Sequence, residues 1–286
     1  MSTAAAPKTV FITGSSAGFG RLAAEHFAAK GWNVVATMRT PEKETELTKL
    51  SNVTVARLDV QDQESIDAAV AVAVKTYGAI DVLINNAGFA AFGFVEGVAI
   101  EEVKRQFDVN FFGVVRVTKA VLPVMRKAKA GTVIITSSVI GGMSSPFGAT
   151  YAASKWAVEG WAETLSYELL PFNIQVKLVQ PGGYKTSIQE TGMTMGLEVA
   201  GEGAEPYAAM AEGIKTMMAG VKWHDPNPVV AETFYKAATE GDAMKLRYPV
   251  YHEEDLYGKV YALRQEKGAE AQYAATVASL QPKKEE

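Results

Sequence analysis

A short apolar run, Thr9-Val10-Phe11-Ile12-Thr13, passes directly into Gly14-Ser15-Ser16-Ala17-Gly18-Phe19-Gly20. No other stretch limits the possible folds so strongly. The run has the length and character of a buried strand. The glycines predict a tight turn, and residues 19–30 follow as an amphipathic helix with Leu22, Ala23, His26 and Phe27 at helical spacing. Gly31 stands where a helix ends, and residues 33–37 read as a second strand. Together they form a strand–helix–strand unit, which brings two strands parallel with the helix on one face.

The alternation continues. Helices are expected at residues 41–50, 62–77 and 100–127, the second capped by Asp62 and stopped by Gly78. Strands are expected at 53–58, 80–84, 132–136 and 174–179. A further helix opens near Tyr151 with Thr150 as its cap, and a last strand covers 245–250. This order predicts an α/β fold of one domain over residues 1–286, a doubly wound, Rossmann-like parallel sheet covered on both faces. The pattern breaks at 184–223, a stretch containing Met193, Met195, Met210, Met217 and Met218. We read it as an insertion that covers the substrate, with a helix over 206–219. Asp225-Pro226 is then expected to open a helix running to residue 240. The tail beyond Ser279 is charged and expected to fray.

Composition removes several function classes. The chain has no cysteine, which excludes disulfides and thiolate chemistry, and its three histidines are scattered without metal-ligand spacing. No metal site is expected. A net charge of −4 argues against nucleic acid or an anionic membrane as the main partner. No apolar run is long enough to span a bilayer, and residues 1–8 lack the apolar core of a signal peptide. The expectation is a soluble cytoplasmic protein.

Candidate functional residues follow the carboxyl ends of strands, where ligands bind in doubly wound folds. In the loop after the first strand, Gly14 permits the turn, Gly18 permits close approach of a pyrophosphate, and Gly20 permits close helix packing. Backbone N–H groups at the helix start, around Phe19, favour the anion. The second strand ends in Thr37-Met38-Arg39-Thr40 with no acid. Arg39, with Ser15 or Ser16, could hold the ribose 2′-phosphate of NADP, or Arg39 could stack on adenine or face water. Asp59-Val60 follows the third strand, Asn85-Asn86-Ala87-Gly88 the fourth, and Pro181-Gly182 the last of this series before the insertion. The alternative for Asp59 is a helix-capping turn acid.

Tyr151 and Lys155 are four residues apart, so their side chains share a helix face. An ammonium beside a phenol favours the phenolate and would let Tyr151 exchange a proton below its ordinary pKa of about 10.

With these residues assembled, the chain resembles the short-chain dehydrogenase/reductase family over roughly residues 9–186. Thr13-Gly14-x-x-x-Gly18-x-Gly20 resembles the family's cofactor loop, and Asn85-Asn86-Ala87-Gly88 its strand-end motif. Asn110, Ser138, Tyr151 and Lys155 fall where its catalytic tetrad is expected, and Pro181-Gly182 with Thr186 matches its nicotinamide-side motif. Residues 35–39 and 86–89 look most like the hydroxysteroid- and retinol-type branch. The resemblance implies that Asp59 contacts adenine, and that Asn86, Ala87 and Gly88 line the cofactor ribose. It also implies that Asn110 holds a water in a proton path to Lys155, and that Lys155 tunes Tyr151 and binds the ribose. Ser138, rather than neighbouring Ser137, would bind the substrate oxygen. The implied activity is hydride transfer between NADP(H) and a carbonyl/alcohol pair by a homodimer or homotetramer. The alternatives are an NAD-dependent dehydrogenase and a non-catalytic dinucleotide-binding regulator.

Overall fold

The computed structural model describes residues 6–186, 193–219, 223–226 and 228–273. Seven parallel strands form the central sheet: β1 (Thr9–Thr13), β2 (Asn33–Met38), β3 (Val53–Arg57), β4 (Val82–Asn85), β6 (Gly131–Thr136), β7 (Ile174–Pro181) and β9 (Arg247–Val250). Their spatial order is β3-β2-β1-β4-β6-β7-β9. The direction of winding reverses between β1 and β4, and a crevice opens there beyond the strand ends.

Strand periodicity sorts the apolar residues onto two faces. Phe11, Val35, Leu83, Val133 and Leu178 pack with Ile66 of α2 (Gln63–Tyr77), Val117, Val121 and Met125 of α4 (Gly113–Ala128), and Val158 and Leu165 of α5 (Ala149–Leu169). Val10, Ile12, Val34, Ala36 and Ile84 face the other way. They pack with Ala23, Ala24 and Phe27 of α1 (Gly18–Ala29) and Val230 and Phe234 of α7 (Val229–Thr239). β1 is buried along its whole length, as its unbroken apolar run requires. Truncating Phe11 to Ala would cost about 3–5 kcal/mol.

Several expectations need correction. Residues 41–50 form two short 3₁₀ turns, Pro41–Lys43 and Leu47–Lys49, in place of an α-helix. The Glu44 carboxylate accepts from the N–H groups of Glu46 and Leu47, both at 2.8 Å, so a side chain takes the place of helical carbonyls. The helix predicted over 100–127 is α3 (Ile100–Phe107), a π turn (Asp108–Phe112) and α4 in succession. Thr150 is not the cap of α5, because the helix opens two residues earlier than that cap would place it, at Ala149 after Gly148. Asp225-Pro226 precedes α7 by a turn, although the Pro226 carbonyl already accepts from Val230 N–H. The tail beyond Ser279 lies outside the described residues.

Part of the insertion joins the body through a second, two-stranded sheet. β8 (Met193–Gly196) pairs in parallel with β5 (Ala90–Gly93). Gly93 and Gly97 both pack against Gly196: a Cβ on Gly93 would stand 2.3 Å from the Gly196 carbonyl oxygen, and one on Gly97 2.5 Å. Beyond β8, α6 (Glu205–Ala219) lays Ala211 and Ile214 on Phe94.

Candidate active site

A cleft of about 430 Å³ runs along the carboxyl ends of the strands. Gly14, Ser16, Gly18 and Arg39 line one end, while Ser138, Tyr151, Lys155, Gly182 and Thr186 line the other. Asp59, Val60, Asn86, Ala87 and Gly88 also line it. Residues more than a hundred positions apart in sequence therefore border one cavity.

The glycine turn is built for an anion. Gly14 and Gly18 take φ of +69° and +57°, which disfavour any other residue. Gly20 lies against the turn itself, where a Cβ would stand 2.3 Å from the Gly14 carbonyl oxygen. α1 starts after Ala17 with no side-chain cap and no acid in its first turn. Its first N–H groups are therefore open to a ligand oxygen, and the end of the helix dipole favours negative charge. This donor set fits a pyrophosphate. Ser16 is exposed and borders the cleft, whereas the Ser15 side chain is buried and its hydroxyl donates to the Ile12 carbonyl at 3.1 Å. Arg39 is exposed and makes no ion pair among the described residues.

Thr13, the last residue of β1 and the first of the glycine motif, fastens this turn to the next loop. Its Oγ1 accepts from the N–H groups of Asn86 (2.9 Å) and Ala87 (3.0 Å). Asn86 Nδ2 returns bonds to the carbonyls of Thr13 and Gly14. The Asn86 side chain therefore ties strand ends together, while the residue also borders the cleft. Gly88 makes room for Asn110, since a Cβ there would lie 3.1 Å from Asn110 Oδ1. At Asp59, the carboxylate accepts from Gln61 N–H at 3.0 Å.

Asn110 sits in the π turn, where the widened helix leaves it buried. Its Oδ1 accepts from Phe89 N–H at 3.1 Å, and its Nδ2 donates to the Phe89 carbonyl at 2.9 Å and to Ser154 Oγ at 3.4 Å. Gln106 repeats the pattern one turn earlier, accepting from Ala91 N–H and donating to the Phe89 carbonyl. Its spacing of four from Asn110 was the available sequence signal, and it was missed. The paired amides hold the loop that borders the middle of the cleft.

At the far end, Ser138 caps a short turn by accepting from Ile140 N–H, and it donates to the Pro181 carbonyl at 3.4 Å. It is also hydrogen-bonded to the Tyr151 hydroxyl. Neighbouring Ser137 is buried with its hydroxyl unpartnered among the described residues and also borders the cleft, but the bond to Tyr151 belongs to Ser138. Lys155 Nζ donates to the Thr136 carbonyl at 2.7 Å and lies 5.7 Å from the centre of the Tyr151 ring.

The electrostatics depart from the expectation for this pair. Burial pushes the Tyr151 hydroxyl up to about 12, opposed by the Ser138 bond. Burial also pulls the Lys155 ammonium down to about 8, opposed by the charge of Glu159. Desolvation penalises both charged forms and is the largest effect on each. Burial therefore favours the neutral Tyr151 hydroxyl over its phenolate. Glu159 is itself buried, bonded by Gln180 Nε2 at 2.9 Å and Arg247 Nε at 2.9 Å.

Among the described residues no group of three or more His, Asp or Glu side chains could hold a metal ion. No described helix is long and apolar enough to cross a membrane.

Residues 8–195 match a family model described as short chain dehydrogenase. An uncharacterized oxidoreductase, YusZ, of Bacillus subtilis (strain 168) is 39% identical over 251 residues, covering 85% of this chain and 89% of that protein. Human retinol dehydrogenase 8 is 42% identical over 195 residues, 65% of this chain and 62% of its own length. A short chain dehydrogenase/reductase from Burkholderia phymatum, solved in complex with NAD, superposes with a TM-score of 0.72 at 25% identity, covering 91% of this chain and 94% of that one. The structure of ElxO with NADP bound gives a TM-score of 0.70 at 25% identity, covering 86% and 97%.

Proposed function

This chain belongs to the short-chain dehydrogenase family, and from that premise we propose that it interconverts a carbonyl and an alcohol with NADP(H). The observation carrying the reading is the convergence of Ser138, Tyr151 and Lys155 at one end of a cleft whose other end is the glycine turn. When bound, the nicotinamide supplies the hydride for reduction and accepts it in oxidation.

The protein's own groups then act on the oxygen. Ser138 donates to the carbonyl oxygen and stabilises the charge that grows there. Tyr151, neutral at working pH, gives its phenolic proton to that oxygen as the alkoxide develops. Lys155, anchored on the Thr136 carbonyl, brings a cation to the same end and favours the phenolate left behind. In oxidation the same groups act in reverse. Asn110 holds the Phe89 backbone and touches Ser154, one residue before Lys155. Its bonds support a role in keeping α5 and the middle loop in register.

NADP is favoured over NAD by Arg39 at the end of β2, by the exposed Ser16 hydroxyl, and by the lack of an acid from Thr37 to Thr40. The substrate end is largely apolar and aromatic: Phe89, Phe92, Val139, Ile140, Trp223 and Tyr257 border it. That lining supports a bulky apolar carbonyl compound, and the likeness to a retinol dehydrogenase points the same way. Phe112, Tyr167 and Leu170 are exposed around α4 and α5, which supports a homo-oligomer through those helices; sedimentation of a monomer at micromolar concentration would refute this. The activity itself is tested by following NADPH absorbance with a panel of apolar aldehydes and ketones. Turnover that vanishes in Tyr151→Phe supports the reading, and absence of turnover with every carbonyl, despite NADPH binding, supports a non-catalytic dinucleotide-binding protein.

A further inference from the structure

The segment after β9 reaches back to the cleft and touches both loops that carry its polar end. Asp255 is the centre of this contact. It is 3% exposed, and its Oδ2 accepts from Gly183 N–H at 2.7 Å. Its Oδ1 accepts from Tyr257 N–H at 3.0 Å, capping α8 (Leu256–Lys267). One carboxylate therefore holds the backbone of the Pro181–Gly183 loop and the start of a helix. The fit leaves no space: a Cβ on Gly182 would stand 2.0 Å from Asp255 Oδ2.

Further contacts make the attachment continuous. Tyr261 OH donates to Gln180 Oε1 at 3.1 Å, and its ring lies where a Cβ on Gly142 would approach to 2.7 Å. Gln272 donates to the Ser144 carbonyl at 2.8 Å, and the Tyr257 hydroxyl is bonded to Ser145. The loop that Asp255 holds also supplies the Pro181 carbonyl that accepts from Ser138. Tyr257, whose N–H the same carboxylate fixes, lines the cleft. After the larger effect of burial, the charge of Asp255 also pushes the hydroxyls of Tyr184 and Tyr257 up.

We propose that Asp255 is a positioning residue for the reaction, which locks the Pro181–Gly183 loop beside Ser138 and presents Tyr257 as a specificity-determining wall of the substrate end. The proposal rests on the reading of the cleft as an NADP(H) site. In that reading the loop meets the nicotinamide, whereas the glycine turn and Arg39 meet the phosphates. Disturbing Asp255 should therefore affect one half of the dinucleotide and spare the other.

Calorimetric titration of NADP and of 2′-phospho-ADP-ribose, which lacks nicotinamide, separates these effects. Asp255→Ala should bind NADP at least tenfold more weakly and turn over at least tenfold more slowly, with 2′-phospho-ADP-ribose bound as in the wild type. Asp255→Asn keeps one acceptor oxygen and should lose less, and it carries the same comparison if Asp255→Ala does not fold. Tyr257→Leu should change KM severalfold for a bulky apolar ketone, with little change for a small one and none in NADP affinity. Equal weakening of both ligands in the Asp255 variants would mean general loosening and overturn the proposal, as would unchanged NADP binding. Wild-type protein that binds neither ligand would overturn the dinucleotide reading itself and this proposal with it.

Discussion

Arg39→Ala should lower catalytic efficiency with NADPH about tenfold and leave that with NADH nearly unchanged. The magnitude follows from the side chain's setting. Arg39 is exposed at the end of β2 and makes no ion pair among the described residues, so its loss breaks no internal bond. A charge-assisted hydrogen bond contributes about 1.5–3 kcal/mol, and exposure to water places this one near the lower figure. About 1.4 kcal/mol is tenfold in affinity. NADH lacks the 2′-phosphate, so it has nothing to lose. Screening gives a second signature: with a Debye length of about 8 Å at 0.15 M ionic strength, added salt should erode the wild-type preference for NADPH and leave the variant's small preference alone. Met38 beside it is 3% exposed, so an acid there would be largely buried. Arg39→Asp is the cleaner reversal and should move the preference toward NADH. Steady-state kinetics with both cofactors at two salt concentrations decide the matter. Equal losses with NADPH and NADH would show that Arg39 stacks on adenine, and the argument from the phosphate would fail.

Tyr151→Phe keeps the ring and removes the proton donor, so turnover should fall at least about 10²-fold while NADPH binding, read by fluorescence, persists. The Lys155 ammonium, lowered to about 8, should be lost as pH rises through that value, so reduction in the free enzyme should decline there, and kcat/KM against pH reads it. The same shift has a sign for stability. Between about 8 and the ordinary value of 10.5 the unfolded chain holds a proton that the native Lys155 has lost, so native stability gains with pH across that window. Lys155→Met should abolish that gain in denaturant titrations at pH 8 and 10. Gly93→Ala places a methyl 2.3 Å from the Gly196 carbonyl oxygen and should open the β5–β8 pairing; faster hydrogen exchange over 90–94 and 193–219 is expected, and unchanged exchange would refute the packing argument. In the wild type, NADP with a good substrate should slow exchange over 193–219 if the insertion covers the cleft.

The order of strands and helices was legible because each signal is local. Thr9–Thr13 has an apolar centre of Val10, Phe11 and Ile12 and is buried throughout, and the glycines at 14, 18 and 20 meet steric demands inside a single turn. Tyr151 and Lys155 share a face because helix periodicity alone requires it. Where local signals conflicted, sequence reading erred. Residues 41–50 have helical composition, but Glu44 also ion-pairs with Arg21 at 2.8 Å while it bonds the backbone ahead of it, and that geometry holds the segment in short turns.

Other features have no local signal at all. Ser15 and Ser16 are adjacent and chemically alike, yet one hydroxyl turns inward to Ile12 and the other faces the cleft. Only the path of the turn between β1 and α1 separates them. Asp255 reads as an ordinary helix cap, and its hold on Gly183 spans 72 residues of sequence. The proton chemistry of Tyr151 depended equally on tertiary structure. Sequence spacing predicted a neighbouring cation and hence a lowered pKa, whereas burial of both groups pushes the hydroxyl up to about 12. Sequence alone determined which groups lie along the ends of the strands, because side-chain periodicity and turn sterics act over a few residues. Tertiary structure decided which way those groups point and how much water they keep, because orientation and desolvation are set by segments that meet only when the sheet closes.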